Sequence, residues 1–235
     1  KILIEGTRLI HEAIKANALI DILYYSNHFL TNENNQKLLH LAKDKKISVT
    51  EINQKYIDKL SDSINNPGII ALVKLKKIKS QHIFSNQQLI LDSISDPGNL
   101  GNLMRTADWF GLKNIYLSEN SVDPYNPKVI RSGMGAHFYI NIIEINLSEH
   151  LQNLKNKKFS IIGADISGRS LYTWDNIPSN YAIILGNEAH GISKKIHNFI
   201  DYNISIPKKG NIESLNVAMA GGILLSHIAN NIKGN

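Results

Sequence analysis

Three stretches of the chain gather glycine with amide, hydroxyl and charged side chains between apolar runs. The first is Asp96-Pro97-Gly98-Asn99-Leu100-Gly101-Asn102-Leu103-Met104-Arg105-Thr106-Ala107. The second is Ile184-Leu185-Gly186-Asn187-Glu188-Ala189-His190-Gly191. The third runs from Ile206-Pro207-Lys208-Lys209-Gly210 through Ser214-Leu215-Asn216-Val217-Ala218. Together they supply a guanidinium, a carboxylate, a hydroxyl and several amides, beside glycines that let a ligand come close to the backbone. Arg105 stands out by rarity. Of 26 basic residues only Arg8, Arg105, Arg131 and Arg169 are arginine. Where Lys serves for plain positive charge, a retained Arg points to its rigid, planar fork of donors.

The composition excludes several chemistries. Cysteine is absent, which removes disulfides, Cys-based zinc sites and a thiol nucleophile. The nine His are scattered with no H-x-x-x-H pair, so no metal is expected. There is no G-x-G-x-x-G after the first strand, no G-x-x-x-x-G-K-[ST] and no G-x-S-x-G, so dinucleotide, P-loop and serine-hydrolase readings are weak. No apolar run approaches the ~18 residues of a membrane span, and no signal peptide is visible. The chain therefore reads as a soluble, cytoplasmic α/β protein. A net charge of +6 and a pI near 9.3 suit an anionic partner without proving one.

Periodicity supplies the elements that must position these loops. Residues 1–75 read as a compact α/β unit. It has helices over Gly6–Ala16, from Thr31 through Ala42 and over Asn53–Leu60, and strands at 19–25, 47–50 and 69–73. Residues 76–87 are polar and basic and read as a linker. Residues 88–235 form a second unit. Continuous apolar runs at 89–91, 159–163 and 181–185 suit central strands of a parallel sheet covered on both faces. A helix is expected over Asn99–Phe110 and strands at 114–117, 138–145 and 204–206. The last helix, Leu215–Ile228, is apolar on nearly every side and must be buried in the domain or against a partner. In an open parallel sheet, loops at the carboxyl ends of the strands build the ligand crevice, so the three stretches suit one shared site.

The three stretches resemble, in order and spacing, the signature motifs of the SpoU (TrmH-type) RNA ribose 2′-O-methyltransferases of the SPOUT superfamily. Asn99 to Ala107 matches N-x-G-x-x-x-R-T-A. Gly186 to Gly191 matches G-x-E-x-x-G, and Ser214 to Ala218 matches S-L-N-V-[SA]. The resemblance covers about residues 88–235. Ile4-Glu5-Gly6-Thr7-Arg8 is more loosely similar to the small ribosomal-protein-like substrate-binding domain of the RlmB-type members.

The resemblance implies a deep trefoil knot in the second domain and S-adenosylmethionine as cofactor. Its contacts carry over to Ala164, Leu185, Gly186, Asn187, Ile206 and Leu215. It also implies methyl transfer to a ribose 2′-hydroxyl, with Asn99, Arg105, Glu188, Ser214 and Asn216 as the catalytic set. Arg105 makes an awkward base, because its pKa exceeds 12. Phosphate binding and stabilisation of the developing alkoxide suit it better. Glu188 is expected to hold Arg105 or to contact substrate. Taken alone, however, Asn99 suits a helix N-cap, Asn187 and Glu188 a turn, and Ser214 the N-cap of the last helix.

Arg8, Arg131, Lys208 and Lys209 are the expected RNA contacts. Arg8 alternatively pairs with Glu12, and the two lysines are alternatively solvated. Arg169 reads as a loop charge, and Trp109 and Phe110 as core. Gly221-Gly222 would let another helix approach. The partner implied is RNA, ribosomal in preference to transfer RNA given the two-domain layout. A homodimer through the knotted domain is implied too. The competing reading is a catalytically silent RNA-binding protein of the same fold.

Overall fold

The computed structural model describes residues 1–63, 66–75, 85–175 and 177–231. Most of the expected linker, 76–84, lies outside them. The chain divides into two compact units, Lys1–Lys77 and Ile78–Asn235.

The first unit runs β1 (Ile2–Glu5), α1 (Thr7–Lys15), β2 (Leu19–Tyr25), α2 (Glu33–Asp44), β3 (Val49–Glu51), α3 (Gln54–Leu60) and β4 (Ile69–Lys74). The sheet order is β1-β4-β2-β3, with β4 antiparallel to both neighbours and β2 parallel to β3. Leu9, Ile10, Ala13 and Ile14 form the buried stripe of α1, at the spacing read from the sequence. Asn32, not Thr31, caps α2 by accepting from the Asn34 amide, while Thr31 ends a preceding 3-10 turn. Glu5 ties this unit together: its carboxylate accepts from the Ser61 and Ser63 hydroxyls and the Asn66 amide.

The second unit runs β5 (Gln87–Leu91), α4 (Pro97–Trp109), β6 (Asn114–Leu117), α5 (Pro127–Gly133), β7 (Asn141–Glu144), α6 (Leu147–Asn156), β8 (Ser160–Ser170), β9 (Tyr181–Leu185), α7 (Lys194–His197), β10 (Tyr202–Ser205) and α8 (Val217–Asn231). Six strands in the order β10-β8-β9-β5-β6-β7 pair in parallel throughout. The continuous apolar runs are explained by two covered faces. Leu89, Leu91, Ile183 and Leu185 join a core with α4 and α8, whereas Ile90, Ala182 and Ile184 join a second core with α6. From β5 the chain moves outward to β6 and β7, then returns to the other side through β8 and β9. The order therefore reverses between β5 and β9, where a parallel sheet opens its ligand crevice.

Several boundaries differ from the sequence reading. Helix α4 begins at Pro97 and not Asn99, because Asp96 caps it by accepting from the Asn99 backbone N–H at 2.8 Å. The strand expected from 138 starts only at Asn141, after a 3-10 turn over Ala136–Phe138. Arg169 lies in β8 and not in a loop, and its guanidinium donates to the Thr173 carbonyl. Trp109 is not core: it is 83% exposed, whereas Phe110 is half-buried against the α4 side of the sheet. Helix α8 starts at Val217, two residues later than expected, with Asn216 capping it and not Ser214. It buries Val217, Ala218, Gly221, Leu224, Leu225 and Ile228. Met219 and Ile223 remain exposed on its other face.

Candidate active site

All three Asn/Gly-rich stretches sit at carboxyl ends of strands, after β5, β9 and β10. The loop after β9 closes on itself. Asn187 and Gly191 exchange backbone hydrogen bonds at 3.0 and 2.9 Å, and the Asn187 carbonyl oxygen of the side chain accepts from the Ala189 and His190 N–H groups. Gly186 is required there, since a Cβ would lie 2.2 Å from the Gly191 carbonyl carbon. Gly101, in the first stretch, serves packing. A Cβ on it would meet the Val129 carbonyl at 2.6 Å and the Gly133 nitrogen at 2.7 Å, so it lets α5 cross closely over α4. Gly221 plays the same part for α8, where a Cβ would meet Leu103 of α4 and Leu185 of β9.

Glu188 joins the stretches. Its carboxylate accepts from the Ser95 hydroxyl at 3.0 Å, from the Ser95 and Asp96 backbone N–H groups at 3.3 Å, and from the Asn99 amide at 3.0 Å. Asn99 in turn accepts from the Asn216 amide at 2.8 Å, and Asn216 accepts from the Ala218 and Met219 N–H groups at 2.9 and 3.2 Å. The orientation of both amides follows from this chain. A carboxylate only accepts, so the Asn99 nitrogen must face Glu188 and its oxygen must face Asn216. Burial works against ionisation of Glu188. The hydrogen bonds from Asn99, Ser95 and Asp96 outweigh it and hold the carboxyl below its usual range. Glu188 is thus an ionised organiser at neutral pH, and it does not clamp Arg105.

Beside this chain lies a cleft of about 670 Å³, the size of a small-molecule site. The six positions assigned to a cofactor, Ala164, Leu185, Gly186, Asn187, Ile206 and Leu215, all line it. Ala164 does so from within β8, not from a strand end. Buried Leu185, Ile204, Val217 and Leu224 give the cleft an apolar floor. Glu188, Ser214, Lys208 and Lys209 also line it, and Asp165 and Glu213 add carboxylates.

The other expected residues are placed apart from the cleft wall. Asn99 and Asn216 reach it through Glu188. Arg105 is exposed on α4, with no partner among the described residues. Arg131 sits in the last turn of α5, next to Ser132, whose hydroxyl lies where Gly101 leaves room. Arg8 belongs to α1 of the first unit. Ser95 and Asp96 escaped the sequence reading as site residues, although Asp-Pro before a helix is a readable start signal. Among the described residues no group of His, Asp or Glu could hold a metal ion, and no helix is long and apolar enough to cross a membrane.

Comparison with known proteins identifies the family. Residues 86–226 match the model of the SpoU rRNA methylase family, and residues 3–78 match that of the RNA 2′-O ribose methyltransferase substrate-binding domain. The 23S rRNA (guanosine(2553)-2′-O)-methyltransferase RlmP of Bacillus subtilis is 29% identical over 96% of this chain and 87% of its own. The 23S rRNA (guanosine-2′-O-)-methyltransferase RlmB of Neisseria meningitidis is 30% identical over 81% of this chain and 80% of its own. A crystal structure of an RNA 2′-O ribose methyltransferase superposes with a TM-score of 0.83 at 26% identity, covering 97% of this chain and 88% of that one. With a matched model over residues 86–226 and three loops tied to one another beside the cleft, this protein belongs to the SpoU rRNA methylase family.

Proposed function

We propose that this chain transfers a methyl group from S-adenosylmethionine to a ribose 2′-hydroxyl of ribosomal RNA. The observation that carries the reading is the unbroken hydrogen-bond chain Glu188–Asn99–Asn216, which ties the first loop to the two loops that line the cleft. The cleft suits the cofactor: its floor is apolar for the adenine, and carboxylates at its wall suit a cation. Leu185, Gly186, Ile206 and Leu215 would hold it, with Ala164 and Asn187 alongside. Bound there, S-adenosylmethionine supplies a methyl group already activated on a positively charged sulfur.

The protein's remaining task is alignment and activation of the hydroxyl. Arg105 binds the phosphate next to the target ribose and stabilises the oxygen as it loses its proton. The bond from that oxygen to carbon forms as the sulfur–carbon bond breaks, and the proton leaves to phosphate or water. Ser214 orients a hydroxyl or phosphate at the cleft wall. Glu188, Asn99 and Asn216 hold the loops in register.

The first unit, about residues 1–75, binds substrate RNA and contributes Arg8; residues 76–87 link it to the methyltransferase domain, 88–235. Arg131, Lys208 and Lys209 contact RNA backbone. The match of residues 3–78 to a substrate-binding model and the charge of +6 support this. A ribosomal substrate is favoured because two relatives that cover most of the chain, RlmP and RlmB, are named for 23S rRNA, whereas others of similar coverage are named for tRNA or rRNA without distinction. Family membership also supports a trefoil knot in the second domain, a cytoplasmic location and a homodimer. The exposed apolar residues of α8 favour the dimer further.

Two measurements test the reading. Calorimetry with S-adenosylmethionine should show stoichiometric binding, and no binding would sink the enzyme assignment. Mapping of 2′-O-methylation in total RNA with and without the gene should show one ribosomal position lost. Loss from a transfer RNA alone would refute the ribosomal substrate.

A further inference from the structure

We propose that Asp92 and Ser93, at the carboxyl end of β5, form a positioning pivot that sets the loop after β9 and, through it, the cofactor cleft. The inference rests on the methyl-transfer reading above and concerns residues outside the three motifs.

Asp92 is 4% exposed, the one acidic or basic side chain in the buried class among the described residues. Its backbone N–H donates to the Leu185 carbonyl at 2.9 Å, which extends the β5–β9 pairing by one step. Its carboxylate accepts from the Ser193 backbone N–H at 2.8 Å and from the Ser93 hydroxyl at 3.1 Å. Ser193 lies just beyond the closed loop 186–191, so Asp92 fixes the loop's exit.

Ser93 fixes the entry. It sits in the left-handed region with φ +62°, which is uncommon for a residue with a Cβ and is held only when its surroundings over-determine it. The surroundings here do so. Its N–H donates to the Ser118 hydroxyl at 2.7 Å, and its carbonyl accepts from the Asn187 side chain at 2.7 Å. A right-handed or extended Ser93 would turn that carbonyl away from Asn187. The loop is therefore pinned at both ends by two consecutive residues of β5's exit turn. Asn187, Glu188 and Gly191 can sit as they do against the cleft and the α4 start only while both pins hold. Neither Asp92 nor Ser93 lines the cleft, so both act through the loop.

The test is S-adenosylmethionine affinity, measured by calorimetry at 20 °C on the full chain, with the melting temperature followed in parallel. Asp92→Ala should weaken binding at least tenfold, whereas Asp92→Asn, which keeps an acceptor for Ser193, should stay within threefold of the parent. Ser93→Thr keeps the hydroxyl but resists the left-handed conformation and should weaken binding about tenfold. Ser93→Gly, which adopts it freely, should stay within threefold. Leu39→Ala, a cavity in α2 of the first unit, lowers stability away from the loop and should leave affinity unchanged. Parent-like affinity in both Asp92→Ala and Ser93→Thr would overturn the pivot. Should Asp92→Ala not fold, the Ser93 pair decides alone. Failure of the parent protein itself to bind would refute the methyl-transfer reading instead, and so is distinguishable.

Discussion

Asn216 donates its side-chain amide to the side-chain oxygen of Asn99 at 2.8 Å, joining residues 117 positions apart in the chain. The Asn99 nitrogen is thereby committed to Glu188, and the geometry leaves no freedom to flip either amide. Asn99→Asp is nearly isosteric but would set a second carboxylate 3.0 Å from the first. Unpaired or like-charged groups in such a setting cost about 1–3 kcal/mol. Initial methylation rates should fall by about ten- to a hundredfold, and the melting temperature should drop. A variant with parent-like rates would show that the chain of amides is not needed for turnover.

The sequence was informative where local chemistry decides the outcome. The apolar runs at 89–91 and 181–185 read correctly as central parallel strands, because burial on both faces leaves no polar alternation. Cap positions were less legible. Asn99, Ser214 and Thr31 are all good cap residues by type, yet Asp96, Asn216 and Asn32 take the caps, since the choice rests on backbone geometry a few residues away. Trp109 was misread because α4 is covered on one side only. Helical position alone does not reveal which side lacks a neighbour. Asp92 and Ser93 carried no signal, as their role depends on bonds to Ser118, Asn187 and Ser193 made only in the folded sheet.

Arg105 is the next residue to test. It is exposed on α4 and is held by no partner among the described residues, so its guanidinium is available to substrate. Arg105→Lys keeps the charge but loses the planar fork. RNA affinity should stay within a few-fold, while turnover falls by about 10²–10³. Single-turnover rates at saturating RNA separate the two effects. Undiminished turnover would show that a point charge suffices and that the fork has no part in activating the hydroxyl.

Acid should destabilise the second unit before its carboxylates titrate. His150 stacks on Tyr116 and bonds Gln88, and burial pushes its pKa down from 6.5 to about 4. Burial also lowers His137, whose ring nitrogen meets the Pro124 carbonyl. A histidine neutral in the fold but protonated when unfolded contributes stability above pH 6.5, and that contribution is lost as pH falls toward 4. Melting temperatures should therefore decline between pH 6.5 and 5. Glu188, held below its usual range, remains ionised there. His150→Gln should flatten the decline, whatever it does to stability at pH 8. An unchanged slope would assign the acid sensitivity to other groups.

Gly101 and Gly210 make a matched pair. A methyl group at Gly101 would press on the backbone of α5, whereas at Gly210 it would meet nothing within 4 Å. Overpacking against backbone typically costs about 1–3 kcal/mol. Gly101→Ala should lower denaturant stability by about that amount and weaken RNA binding if Arg131 moves with α5. Gly210→Ala should leave stability unchanged. Equal behaviour of the two would mean that α5 can shift away from α4 at little cost.

The exposed face of α8 leads to the last prediction. Thr106 of α4 meets Gly222 of α8, 3.9 Å from where a Cβ would stand. Around this crossing Trp109 and Met219 are 83% and 61% exposed, and Ile223 also reaches the surface. Met219 and Ile223, four residues apart, share one face of α8; apolar side chains there are costly to leave in water and are suited to a self-complementary two-fold contact. Sedimentation at micromolar concentration should show a dimer, and Met219→Glu should convert it to a monomer by placing two like charges near the axis. The variant's melting temperature should then become independent of protein concentration, as expected once association no longer stabilises the fold. A parent protein that sediments as a monomer at that concentration would refute the contact, and a dimer insensitive to Met219→Glu would place it on another face.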